Sequence, residues 1–226
     1  MNYQTLLLIF FLFTEPVFSQ RTQKPVLHGK QWMAITGKPL GAQAGAMIFQ
    51  QGGNAVDAAC AMLGAACTLW DVLSWGGETQ ALVYNPHTKK VIAINALGVA
   101  PTGATADYFK EMGYEFPPEE GPLAAVTPGT VGGLCYMLAH YGTMSLQQVL
   151  APSLELAAGF PVDIPFASAV ARNKEKLKEW SYSHDLFITR PGEVQETPMA
   201  GEIFLQQELL ETLQKLVEAE QQALQT

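Results

Sequence analysis

The sequence predicts an α+β fold, and three observations predict it. Most of the chain beyond residue 30 carries apolar residues at helical spacing. One pair of short apolar runs flanks a turn and reads as a β-hairpin. Glycines, prolines and capping residues fall between these segments. Composition agrees, with 48% hydrophobic and 15% charged residues among 226, the balance of a globular chain with a sizeable core. The net charge of -8 comes without any Lys/Arg cluster, which argues against a nucleic-acid or anionic-membrane surface.

The first residues read as a targeting segment. Leu6 to Phe13 is an unbroken apolar run, too short to span a bilayer as a helix. Val17 and Ser19 suit cleavage after Ser19, which predicts a signal peptide over 1–19 and a secreted or periplasmic product. An uncleaved anchor is the alternative, since the run lacks a preceding Lys or Arg. Residues 20–30 form a polar leader, and residues 31–226 the folded region, with no further membrane-length apolar run.

Gln31 to Thr36 reads as a short strand, and Leu40 to Gln51 as a helix that stops at Gly52-Gly53. Asn54 caps a second helix, Asn54 to Leu69, with Asp57 at its positive end. This helix is almost all Ala, Cys, Gly and Leu, so it belongs in the core against a sheet or another helix. A glycine bend at Leu73–Thr79 then feeds the hairpin of Gln80–Tyr84 and Val91–Asn95. A short helix sits around Asp107–Lys110, followed by a proline-rich connection from Tyr114 to Gly121. Pro128 opens a helix that runs to Gly142, with Thr127 and Thr130 as capping residues. Ser145 and Gln148 form a capping box for the next helix, which carries Pro152 as a kink or joint. Phe166 to Trp180 reads as one amphipathic helix, Ser181 to Ala200 as loop, and Glu202 to Gln225 as a helix with one Leu/Val stripe. That last helix shows no capping glycine or proline, so it reads as cut in the middle and the region as incomplete at its C-terminus.

Little in these segments points to chemistry directly. Cys60, Cys67 and Cys135 are odd in number, lie in apolar stretches and read as buried small hydrophobes. No Cys or His spacing suggests a metal site, and no cofactor motif is present. There is no G-x-S-x-G elbow.

Three stretches in order resemble the large-subunit region of γ-glutamyltransferases. They are Pro39–Ala61 (PLGAQAGAMIFQQGGNAVDAACA), Trp75–Asn95 (WGGETQALVYNPHTKKVIAIN) and Ala124–Val162, which holds the Pro-Gly-Thr-Val helix start and the Gly-Phe-Pro-Val exit. The resemblance implies the αββα sandwich of an N-terminal nucleophile hydrolase, of which only the N-terminal part is present. It also implies a precursor that cuts itself. The exposed threonine then attacks the γ-glutamyl amide of a glutathione-type donor, with its own α-amine as base. That threonine belongs to the small subunit, so the resemblance implies no catalytic residue in this chain and a small-subunit portion as its partner.

The same resemblance singles out the exit of the second hairpin strand. Family members carry Asp-x-Arg-Glu-x-Ala-Pro there, and the arginine grips the donor's α-carboxylate. Here the run is Asn95-Ala96-Leu97-Gly98-Val99-Ala100-Pro101, so Leu97 stands at the arginine position and Gly98 at the glutamate position. Leu97, Asn95 and Glu78, the last in a shortened glycine bend, are the candidate substrate-binding residues. Glu78 is open to two readings, a pocket residue or a surface turn. For the chain three readings stay open: a γ-glutamyltransferase portion, a glutaryl-type amide acylase portion, and a non-catalytic secreted binding subunit. Reinstating the two charges together, Leu97→Arg with Gly98→Glu, is expected to improve γ-glutamyl use. Because the Asn54–Leu69 helix is expected to need a sheet only partly encoded here, the isolated chain is expected to be poorly soluble.

Overall fold

A computed structural model of the chain describes residues 26–70 and 73–225. The chain divides into two units, Met1–Gln31 and Trp32–Thr226. Of the first unit, residues 26–31 are described and carry no helix or strand. The leader expected at 1–19 lies outside the described residues. The second unit is α+β: nine α-helices, one 3-10 turn (Pro122–Ala124) and two separate two-stranded sheets among the described residues.

The core begins with a helical pair. α1 (Pro39–Gln50) places Pro39 in its first turn, where a missing N–H costs nothing. It ends on Gly52, whose φ of 91° few side chains tolerate. The amide of Gly53 closes the turn by donating to the Ile48 carbonyl at 3.0 Å. α2 (Ala55–Thr68) follows through a complete capping box: Asn54 accepts from Val56 and Asp57 amides, and Asp57 accepts from the Asn54 amide. The small residues of α2 do what their size allows. A Cβ on Gly45 of α1 would stand 2.7 Å from Met62, and one on Gly64 would stand 2.5 Å from Ser153. α2 is therefore covered closely by helices on its sides, α1, α4 (Thr130–Tyr141) and α5 (Leu146–Ala158), rather than by a sheet.

β1 (Thr79–Asn85) and β2 (Lys90–Ala96) form the hairpin, in antiparallel register from Thr79 opposite Ala96 to Asn85 opposite Lys90. Asn85 organises the turn by accepting the amides of His87 and Thr88. Alternation puts Ala81, Val83, Ile92 and Ile94 on the core under α4. The opposite face leaves Leu82, Tyr84 and Val91 at 77%, 61% and 63% exposure. Beyond the hairpin, Phe109 anchors the short helix α3 (Ala106–Glu111), capped by Thr105.

A second core is aromatic. β3 (Phe160–Pro161) pairs with β4 (Ile203–Phe204), and Phe160, Phe166, Phe187 and Phe204 pack with ring centroids 5.1–6.3 Å apart. α6 (Ile164–Arg172), α7 (Lys174–Glu179) and α8 (Ser181–Phe187) surround it. α9 (Gln207–Leu224) returns to the first core, burying Leu213 and Val217. Its Glu220 receives the first free amides of α5, from Leu146 at 2.6 Å and Gln147 at 3.1 Å.

Five readings of the sequence are corrected. Gln31–Thr36 is no strand: Trp32 stacks on Phe49 at 4.9 Å, and Ala34 and Thr36 rest on the glycines of α1, so the segment packs on a helix face instead of a ladder. The 166–180 helix starts earlier and breaks. Asp163 caps it by accepting the Phe166 amide, and Asn173 ends α6 by donating its side chain to the Ala169 carbonyl. Ser181–Phe187 is helical because Phe187 anchors it in the aromatic core. The last helix begins at Gln207, not Glu202, since Ile203 and Phe204 are taken by β4. α4 starts at Thr130, and its cap is Gly129, without any side-chain hydrogen bond. Thr127 and Thr130 are therefore not caps. Pro152, read as a kink or joint, lies inside α5.

One buried charge ties these parts together. Asp57 is fully buried and accepts from the amides of Asn54, Thr143 and Met144 and from the Thr143 hydroxyl, at 2.7–3.1 Å. Burial alone pushes its carboxyl up, but these four donors outweigh it and hold the pKa below the ordinary 3.8. The stabilisation is complete above that ordinary value and is lost as pH falls through the folded-state pKa. Asp57→Ala, which orphans these donors, is expected to cost about 3 kcal/mol in urea unfolding at pH 7. The wild-type and variant curves are expected to converge in acid. Equal stability of the two at pH 7 would contradict the latch.

Candidate functional site

Two of the stretches singled out in the sequence, Trp75–Asn95 and Ala124–Val162, meet at one end of the hairpin, and backbone atoms join them. The Gly77 carbonyl of the glycine bend accepts the amides of Gly129 and Thr130 at 2.9 and 3.1 Å. The Val99 carbonyl, beyond β2, accepts the Thr127 amide at 2.9 Å. Beneath them the hydroxyls of Thr79 and Thr130, both buried, lie 3.3 Å apart. The bend, the exit of β2 and the start of α4 thus form one interlocked frame.

Two glycines make this approach possible. A Cβ on Gly129 would stand 2.1 Å from the Ala96 carbonyl oxygen, and one on Gly98 would stand 1.9 Å from the Thr127 carbonyl oxygen. Gly98 also sits at φ 79°. No side chain fits at 98 without moving the frame. This overturns part of the expectation above: glutamate cannot be reinstated at position 98 on this backbone.

The candidate residues gather around the frame but do not share one wall. Glu78 is exposed, immediately after Gly77. Asn95 is exposed, opposite Gln80 across the strands, and its Oδ1 accepts the Leu97 amide at 3.2 Å. Leu97 is half-buried and presents an apolar side chain, with no group to pair with an anion. A groove of about 490 Å³ runs beside β2, and Asn95 lines it together with Ala96, Gly132, Gly133 and Tyr136. Leu97 and Glu78 are not among its lining residues. Sequence reasoning missed the glycine face and Tyr136. The signal was present in their spacing, since Gly132, Gly133 and Tyr136 fall on one side of a helix.

No side chain at the frame is set up as a nucleophile. Thr79 and Thr130 are bonded to each other, without a base beside them among the described groups. The buried thiols of Cys60 and Cys67 are pushed up to about 12 by burial, so they remain protonated at neutral pH. Among the described residues no group of three or more His, Cys, Asp or Glu is placed to hold a metal ion.

Comparison with known proteins gives the frame a context. A family model described as Gamma-glutamyltranspeptidase matches residues 41–225. The chain is 35% identical over 204 residues to a glutathione hydrolase proenzyme of Bacillus subtilis (strain 168), covering 88% of this chain and 34% of that one. Its fold is similar to the crystal structure of Helicobacter pylori gamma-glutamyltranspeptidase, with TM-score 0.79, 29% identity, and coverage of 87% of this chain and 56% of that one. It is also similar to a cephalosporin acylase from Bacillus halodurans, with TM-score 0.74, 29% identity, and coverage of 90% and 39%. The chain spans about a third of the length of the curated relatives it matches.

The two glycine classes in this region are expected to respond oppositely. Gly98→Ala, which forces a Cβ into the Thr127 carbonyl at positive φ, is expected to cost at least about 2 kcal/mol. Gly132→Ala, which meets open space on a helix, is expected to gain about 1 kcal/mol. Thermal unfolding of the two variants checks this, and a neutral Gly98→Ala would contradict the described approach.

Proposed function

The chain belongs to the gamma-glutamyltranspeptidase family, and from this premise we propose that it is the framework portion of an amidohydrolase that transfers an acyl group to water or an amine. The attacking threonine is supplied by polypeptide beyond these residues. The observation that carries the proposal is the interlocked frame, which joins two of the family stretches, Trp75–Asn95 and Ala124–Val162, through the glycine bend, the exit of β2 and the start of α4, while its own threonines are spent on structure. The exposed apolar face of the hairpin fits this reading, because Leu82, Tyr84 and Val91 need a cover that the described residues do not provide. The leader at 1–19 suits a secreted or periplasmic protein.

The chemistry follows from the weakness of a hydroxyl nucleophile. A threonine at a new amino terminus uses its own α-amine to take the hydroxyl proton as the oxygen attacks the amide carbon. Hydrogen-bond donors hold the developing oxyanion, and the protonated leaving amine departs. The acyl-enzyme then passes to water or an acceptor amine. In this proposal the present chain supplies the rigid edge against which the donor lies, near Asn95 and Leu97.

A specific observation favours a second reading of the donor. Leu97 offers no cation to an α-carboxylate, and Gly98 closes its neighbour position to any side chain. A donor without an α-carboxylate, such as a glutaryl amide, suits that wall better than a γ-glutamyl amino acid. The similarity to a cephalosporin acylase is consistent with this.

The isolated chain is expected to release no p-nitroaniline from γ-glutamyl- or glutaryl-p-nitroanilide. The enzyme assembled with its threonine-bearing portion is expected to turn over at least one of them. In that enzyme Leu97→Arg, made alone, is expected to raise kcat/KM for the γ-glutamyl donor about tenfold relative to the glutaryl donor. Turnover by the isolated chain would overturn the reading.

A further inference from the structure

A cleft lies away from the frame, over the aromatic core. It has a volume of about 590 Å³, the size of a pocket for one small molecule. Its walls are Phe166, Ala169, Leu177 and Phe187, with Trp70 and Trp180 beside them. Nothing in the proposed acyl transfer uses it.

Trp70 is the unusual part. It remains 42% exposed, yet it is fixed on two sides. Its ring meets Phe187 edge-on with centroids 5.0 Å apart, and its indole N–H donates to Gln206 Oε1 at 3.1 Å. Gln206 is itself buried and held by donating to the Thr68 carbonyl at 2.8 Å. The backbone of Trp70 adopts φ 57°, a left-handed conformation that is an outlier for a bulky residue. Such strain costs of order 1–3 kcal/mol and concentrates at sites that clamp ligands. An exposed indole held rigid at that cost presents a prepared flat surface.

The charges at the cleft are already spent. Lys38, whose side chain is 12% exposed, pairs with Asp163 at 2.5 Å, and Lys176 pairs with Glu120. A ligand anion would have to compete with these carboxylates for their lysines. The lining therefore suits a ligand with no net charge.

We propose that this cleft is a binding site for a flat, uncharged aromatic small molecule, seated between Trp70 and Trp180. The proposal does not rest on the acyl-transfer reading. Its test uses two probes of one shape, neutral N-phenyl-1-naphthylamine and its sulfonated analogue 8-anilino-1-naphthalenesulfonate. The neutral probe is expected to bind the intact chain saturably, one per chain, with tryptophan fluorescence quenched. The anionic probe is expected to bind at least about tenfold more weakly. Ala169→Leu, which fills the cleft, and Trp180→Ala, which removes one wall, are each expected to weaken the neutral probe about tenfold or more while thermal unfolding stays cooperative. Non-saturable binding, preference for the anion, or binding unchanged in both variants would overturn the proposal. So would loss of binding in a longer gene product, since that result assigns the cleft to covering polypeptide.

Discussion

The carbonyl of Gly77 is the point on which the rest of the structure turns. It accepts two successive amides, from Gly129 and Thr130, where α4 begins. Those amides are among the donors that any helix leaves unsatisfied at its start. Gly129 has no side chain to cap the helix, so the glycine bend, far away in sequence, does that work instead. Because the cap comes from outside, α4 cannot form its first turn without fixing the bend and, through Thr127 and Val99, the exit of β2. A local hydrogen-bonding need has become a long-range constraint.

This constraint explains the close packing at the exit of β2. Here the 96–99 backbone passes against Thr127 and Gly129 with no room for a Cβ at Gly98. Leu97 beside it is half-buried. The frame is closed and hydrogen-bonded.

Much of this architecture was legible in the residues. The cap at Asn54 with Asp57 at the positive end of its helix, the capping box at Ser145 and Gln148, and the two strands of the hairpin all follow from local chemistry, and each appears where the sequence put it. What could not be read were interactions with distant partners. The 31–36 segment has strand composition but finds a helix face. Ile203 and Phe204 look like the start of a helix until Phe160 is brought beside them. Asp57 reads as a helix cap, and only the fold reveals that it also holds Thr143 and Met144. At the site, Leu97 and Gly98 were visible as departures from a pattern, but the closure they produce depends on Thr127, which sequence alone assigned to capping. The lock at Gly77 has no signature of its own, since backbone carbonyls look alike in every sequence.

The measurement that bears most directly on this account is native-state hydrogen exchange at the amides of Gly129 and Thr130. If their bonds to Gly77 hold the frame together, both amides exchange only through global unfolding, as slowly as the buried centre of α2. Exchange at rates typical of an exposed loop or a fraying helix end, while α2 stays protected, would contradict it.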